Sequence, residues 1–181
     1  MLNDHTKKPE QHTRRFGSRG EYLVAFQLLL MAVFVMTPAW PDLHDTELYR
    51  STNALRWGLL AICWTAAVIL GMSGSRAIRS FLTPLPYPME NNRLIQTGVY
   101  GLIRHPIYTA LLLAALGLTV FEISLAHLML TVVGSIFFNY KASKEEAWLT
   151  QRHPDYADYA RRVGRFIPRF RRSGSRGRSD P

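Results

Sequence analysis

Two short segments concentrate the side chains that could do chemistry in this sequence. The first runs from Thr97-Gly98-Val99-Tyr100 to Arg104-His105-Pro106-Ile107-Tyr108. Pro106 suits the first turn of a helix, where its missing N–H costs nothing. Arg104 and His105 then stand at that helix's N-terminus, where free backbone N–H groups and the helix dipole favour an anion. Tyr100, Arg104, His105 and Tyr108 would crowd one small volume. The second segment is KASKEEAWLTQR, residues 141–152, which predicts a helix. Its Lys141 and Glu145 are spaced to pair on the helix surface. Glu145 and Glu146 point about 100° apart, so both need not face one site. After Pro154, Asp155 and Asp158 precede Arg161 and Arg162, with Gly164 next. That polarity predicts another short helix. Tyr156, Tyr159 and Val163 share one of its faces, and Arg165-Phe166-Ile167-Pro168 reads as an extended tail. A plainer reading stands beside this one: Arg104 as a membrane-edge anchor, His105 as a cap, the tyrosines as interface aromatics, and an amphipathic helix pair with a salt-bridged Glu145. The RHP-x-Y pattern recurs at 152–156 in unlike surroundings and reads as coincidence.

The elements that must position these residues are long apolar runs. They are Tyr22–Ala39, closed by Pro38; Trp57–Met72, lengthened by small residues to Gly74; Pro106–Phe121; and Ile123–Tyr140. A membrane-spanning helix needs roughly 17–25 residues. The first and fourth runs qualify alone, the second with its flank, and the third is short. Gln27 is the one strongly polar side chain of the first run, and Cys63 reads as a small packing residue.

The 22 Lys and Arg against 13 Asp and Glu give a net charge of +9 over 181 residues. The charge is not spread evenly. Residues 1–20 hold five basic and two acidic side chains, and residues 141–181 hold eleven and five. Residues 40–56 carry Arg50 and Arg56 against Asp42, Asp45 and Glu47, whereas residues 73–105 carry four arginines against Glu90. Basic excess marks the cytoplasmic side. The alternation predicts an all-α polytopic membrane protein with about four crossings and both termini cytoplasmic. Residues 1–20 form a basic tail that is no cleavable signal, residues 21–170 the membrane domain, and residues 171–181 a disordered basic tail. The apolar runs and single cysteine exclude a disordered chain, a disulfide scaffold and a collagen-like repeat, and they speak against a small soluble enzyme. Nucleic-acid binding does not account for the charge, which follows topology.

TGVYGLIRHPIY, a helical hairpin, and then EEAWL and YADYARRVGRFIP resemble the isoprenylcysteine carboxyl methyltransferase family and, more loosely, the phospholipid N-methyltransferases. The resemblance covers residues 83–170, about half of the chain. It implies a membrane enzyme that uses S-adenosylmethionine and takes a lipophilic acceptor from the bilayer. It implies that Gly98, Tyr100, His105, Pro106 and Tyr108 shape the cofactor pocket and that Glu145, Tyr156 and Tyr159 close it. Arg104 and one of the glutamates, Glu146 by preference, would face the reacting groups. The chain departs from the commoner bacterial pattern by having Val99 in place of proline. It also looks one residue shorter between Leu149 and Tyr156, which leaves the alignment of Glu145 against Glu146 open.

Methyl transfer from a sulfonium is an in-line displacement that needs no metal, only alignment, which can supply about 7–11 kcal/mol. An Arg or His answers the cofactor's carboxylate, a glutamate its ammonium, and tyrosine faces its sulfonium, at roughly 0.5–2 kcal/mol each. A carboxylate acceptor needs a cation to place it, with Arg104 the candidate. An amine acceptor needs a base, for which a glutamate would serve. The alternatives are a phosphatidylethanolamine-type N-methyltransferase, a sterol-reductase-like enzyme, for which no basic cluster for a 2′-phosphate is visible, and a non-enzymatic four-helix membrane protein. A bacterial inner membrane and an endoplasmic reticulum both suit the chain, and the sequence assigns no oligomeric state.

Overall fold

A computed structural model describes residues 21–79 and 94–169. The basic tails, Pro84, Pro86, Pro88, Glu90 and Arg93 lie outside the described residues. Among the described residues six α-helices carry the fold: α1 (Glu21–Met36), α2 (Glu47–Ser51), α3 (Asn53–Ala77), α4 (Pro106–Glu122), α5 (Leu125–Arg152) and α6 (Tyr156–Arg162). A 3₁₀ turn, Gly98–Gly101, precedes α4. No strand of a sheet forms among the described residues. An isolated parallel bridge joins Ile103 to Gly164.

Each apolar run became a helix. α1 stops at Met36, before Ala39, because the residue ahead of Pro38 disfavours helical backbone. α3 starts four residues earlier than its apolar run and continues to Ala77. The fourth run and residues 141–152 form one unbroken helix, started by Ser124, whose hydroxyl accepts from the His127 N–H. α3 and α5 are long and apolar enough to cross a bilayer, whereas α1 and α4 have 16 and 17 residues. At 1.5 Å per residue the shorter pair measures about 24–26 Å against a hydrocarbon core of about 30 Å.

The side chains are arranged for lipid. No residue of α1 is buried. Leu28, Leu29, Ile62, Ile69, Met129 and Ile136 are all more than half exposed. Water would not tolerate such a surface, but a bilayer does. Between helices in lipid, close backbone approach replaces the hydrophobic effect as the adhesive. α3 and α4 meet across Gly71, Gly74, Ala110 and Gly117. A Cβ on Gly117 would lie 2.9 Å from Cys63 Cβ, and one on Gly74 would lie 3.0 Å from Pro106 Cγ. This approach seats the start of α4 against α3.

The two ends of the bundle differ. At one end Arg56, 3% exposed, donates to the carbonyls of Tyr49 and Phe121 and lies 3.5 Å from the Tyr49 ring centroid. Phe121 is in the last turn of α4, so Arg56 answers that helix's carbonyls and dipole. Ser124 Oγ there accepts from the Trp40 N–H at 3.1 Å. The other end holds the start of α4, the last turns of α5, and α6. Both chemistry-bearing segments are on that end.

Candidate active site

Arg104 is fixed before its side chain is considered. Its backbone N–H donates to Gly164 O at 2.9 Å and that of His105 to Arg165 O at 3.1 Å. The tail after α6 is thereby sewn to the turn before α4. Pro106, fully buried, opens α4 behind them. Gly164 is tightly turned, since a Cβ there would fall 1.8 Å from Ile167 O.

The Arg104 guanidinium donates from Nε (3.0 Å) and Nη2 (2.9 Å) to Glu146 Oε1. Its Nη1 donates to Ala160 O at 2.8 Å and to Val163 O. Arg165 grips the same carboxylate, from Nε to Oε1 at 3.1 Å and from Nη2 to Oε2 at 2.6 Å. His105 Nε2 is 3.0 Å from Glu146 Oε1. Two arginines and a histidine therefore converge on one nearly buried carboxylate. Burial opposes its ionisation, but the hydrogen bonds from His105, Arg165 and Arg104 outweigh that and hold the Glu146 carboxyl down at about 2. The apolar stretch of α5 ends at Tyr140, so this cluster lies on the polar extension beyond it.

Glu145 is placed differently. Its Oε2 accepts from Tyr108 Oη at 3.2 Å and lies 3.6 Å from His105 Nδ1. Its side chain is 25% exposed against 12% for Glu146. His105 thus stands between the two glutamates, one at each ring nitrogen. The Tyr108 ring stacks on His105 with centroids 5.4 Å apart and on Phe138 at 5.1 Å.

Tyr156, Tyr159 and Val163 share the buried face that their spacing predicts and form one apolar cluster. Tyr159 Oη donates to Tyr100 O at 2.7 Å, tying α6 to the 3₁₀ turn. Gly98 starts that turn at φ 61°, a conformation that favours glycine. Burial, then the charge of Glu145, raises the Tyr100 hydroxyl, and burial, then Glu146, raises that of Tyr156. Tyr159 is pushed up to about 12, chiefly by burial. The buried Tyr156 hydroxyl has no hydrogen-bond partner among the described residues.

The structure therefore brings the Arg-His-Pro turn and both glutamates together on one end of the bundle. Gly98 joins them only through the turn that carries Tyr100. The sequence reading missed Arg165 as a third charge on Glu146, because the pairing depends on the turn after Gly164. It also missed Lys141 as an interior residue: it is 3% exposed and donates to Gln27 Oε1 at 2.7 Å. A lone glutamine in an otherwise apolar run was the signal for such a partner. Among the described residues no group of three or more His, Cys, Asp or Glu is placed to hold a metal ion.

The sequence model described as phospholipid methyltransferase matches residues 54–155, from the first turn of α3 through α5 to the edge of α6. The chain belongs to the phospholipid methyltransferase family. Every chemistry-bearing residue above except Gln27, Tyr156, Tyr159 and Arg165 lies inside the matched part of this family member. Among its relatives is a cobalt-zinc-cadmium resistance protein of Cupriavidus metallidurans, 37% identical over 82 residues, which is 45% of this chain and 38% of that protein. A nickel-cobalt-cadmium resistance protein of Alcaligenes xylosoxydans xylosoxydans is 30% identical over 83 residues, again 45% and 38%. The chain thus spans well under half the length of these two relatives. A probable protein-S-isoprenylcysteine O-methyltransferase of Oryza sativa subsp. japonica is 28% identical over 165 residues, covering 87% of this chain and 84% of that one. The resemblance drawn from the motifs agrees with these matches.

Proposed function

We propose that the protein transfers a methyl group from S-adenosylmethionine to a lipophilic acceptor at the membrane face where Arg104 and the two glutamates meet. The observation that carries this reading is that meeting: a motif turn and a glutamate pair some forty residues apart, with Arg104 Nη2 2.9 Å from Glu146 Oε1. By the positive-inside rule this face and both termini are cytoplasmic.

The residues fit such a donor. Glu145, the more exposed carboxylate, is the group to hold its ammonium. The orphaned Tyr156 hydroxyl is a buried donor and acceptor with capacity to spare. Tyr100 is the ring left to face a sulfonium, because Tyr108 is stacked on both His105 and Phe138. When bound, the sulfonium supplies the electrophilic methyl. Glu146 has another part: saturated by Arg104, Arg165 and His105, it locks the turn before α4 to α5 and α6 and fixes His105 beside Glu145. This assigns Glu145 to ligand binding and Glu146 to positioning, where the sequence preferred Glu146 for the reaction. Arg104 likewise spends its donors on Glu146 and the α6 carbonyls.

The acceptor is read as a carboxylate, an oxygen acceptor in keeping with the O-methyltransferase of Oryza sativa among the relatives. An amine acceptor, in keeping with membership of the phospholipid methyltransferase family, is the second reading, with Glu145 as the carboxylate placed to take a proton. Incubating the purified full chain with methyl-labelled cofactor and either a prenylated cysteine analogue or phosphatidylethanolamine tests both. Label in the first acceptor supports the leading reading, label in the second supports the alternative, and no cofactor binding at millimolar concentration overturns both.

A further inference from the structure

The chain after α6 returns to the level of the membrane edge, and two contacts set that level. Thr109, in the first turn of α4, donates from Oγ1 to Phe166 O at 3.2 Å. Arg165 donates from Nη1 at 2.6 Å to the side chain of Asn139, the residue before Tyr140, where the apolar stretch of α5 ends. α4 is shorter than the hydrocarbon layer is thick, so its first turn lies no farther out than the boundary with the headgroups. At that level Ile167 is 75% exposed, and it belongs to no spanning helix. A bilayer edge is where such a side chain gains from burial.

Cations stand beside it. Arg169 donates from Nη1 to Arg161 O at 2.9 Å and to Ala160 O at 3.4 Å, which brings it to the C-terminus of α6. Arg162 there donates from Nη2 to Gln96 Oε1 at 3.2 Å and from Nε to Asp158 O at 3.3 Å. Both arginines are exposed. Among the described residues these partners are amide oxygens and not carboxylates, so neither charge is neutralised. Arg161 differs, because the Asp158 carboxylate pairs with it. Two guanidinium groups, whose forks match phosphate oxygens, therefore lie close to an exposed apolar side chain at the edge of the bilayer.

We propose that Ile167, Arg162 and Arg169 form a docking edge for anionic phospholipid of the leaflet they face, with the isoleucine among the acyl chains and the two arginines on the phosphates. The same tail supplies Arg165 to Glu146, and the carbonyls of Gly164 and Arg165 to the backbone N–H groups of Arg104 and His105. Headgroup charge thus sets how firmly the clamp around Glu146 is held. The inference rests on this end of the bundle being a membrane face and is independent of methyl transfer.

The test reads hydrogen exchange of the tail amides, residues 165–169, in the full chain held in nanodiscs of phosphatidylcholine with or without phosphatidylglycerol. Phosphatidylglycerol should slow exchange about tenfold or more, the worth of two cations at a charged surface, and high salt should remove the effect. Arg162→Gln together with Arg169→Gln should abolish the slowing. Lysine at both positions should keep it, since the charge is retained. Ile167→Ser should speed exchange in both kinds of nanodisc. Exchange indifferent to phosphatidylglycerol overturns the proposal. So does a lysine pair that behaves like the glutamine pair, because the arginines would then act only through their bonds to the protein. Equal slowing by soluble glycerol phosphate in phosphatidylcholine nanodiscs overturns it too, since the edge would then take a free anion and not a lipid surface. No methyl donor is present, so this inference and the transferase reading fail separately.

Discussion

Replacing Glu146 by glutamine tests whether this carboxylate holds the site together. The side chain keeps its shape and loses its charge. Four donors converge on Oε1, from Arg104 Nε and Nη2, His105 Nε2 and Arg165 Nε, and Arg165 Nη2 reaches Oε2. The amide oxygen must therefore take the Oε1 place, which turns the amide NH2 toward Arg165 Nη2, donor against donor. Removing one partner of a buried ion pair costs about 3–5 kcal/mol. Arg104 is only 8% exposed, but Arg165 at 28% recovers part of its loss from water. About 3 kcal/mol is the expected cost, or about 6–12 °C in Tm for a chain of this size. Arg104→Met alone should cost about 2–3 kcal/mol, through the orphaned carbonyls and the half-emptied carboxylate. The double variant should cost less than the sum by about 1.5 kcal/mol or more. The pH arm has a definite sign. Folding depresses the Glu146 pKa to about 2, so its contribution is complete above its ordinary value near 4.5 and fades as pH falls toward 2. Thermal unfolding in detergent, followed by circular dichroism from neutral pH down to 3, should show the gap between wild type and Glu146→Gln closing below about pH 4.5. A Glu146→Gln Tm within 2 °C of wild type, or strictly additive single effects, would refute the clamp.

Glu145→Gln should separate the two glutamates: cofactor affinity falls about tenfold or more with a smaller loss of Tm than Glu146→Gln, as read by cofactor titration and unfolding of the same preparation. Gly117→Ala pushes a methyl against Cys63 Cβ, 2.9 Å away, and should cost about 1–3 kcal/mol; Cys63→Gly in the same chain should recover part of it, which unfolding curves of the pair will show. Gly164→Ala has no room beside Ile167 O and should both lower Tm and weaken cofactor binding, because Gly164 O anchors the Arg104 N–H. Tyr159→Phe removes the bond to Tyr100 O and should cost about 1 kcal/mol, read as a shift of a few degrees in Tm.

The sequence determined much of this protein by itself. Apolar run length sets helices, because backbone polar groups in lipid must be satisfied within the helix, and the runs did become α1, α3, α4 and the greater part of α5. Pro106 set the start of α4, and the spacing of Tyr156, Tyr159 and Val163 set the buried face of α6, because both are local properties of a chain with a 3.6-residue period. Where a side chain's partner lies far along the chain, local pattern is silent. The twin glutamates diverge on their helix, yet His105 reaches both, because the turn before α4 approaches the side of α5 between them. Lys141, spaced to pair with Glu145 on a surface, is instead buried against Gln27, because α1 packs there. Arg165 reaches Glu146 only because Gly164 turns the chain back onto Arg104. Each of these depends on how helices dock through small residues at close range, and that docking is a property of surfaces no single segment contains.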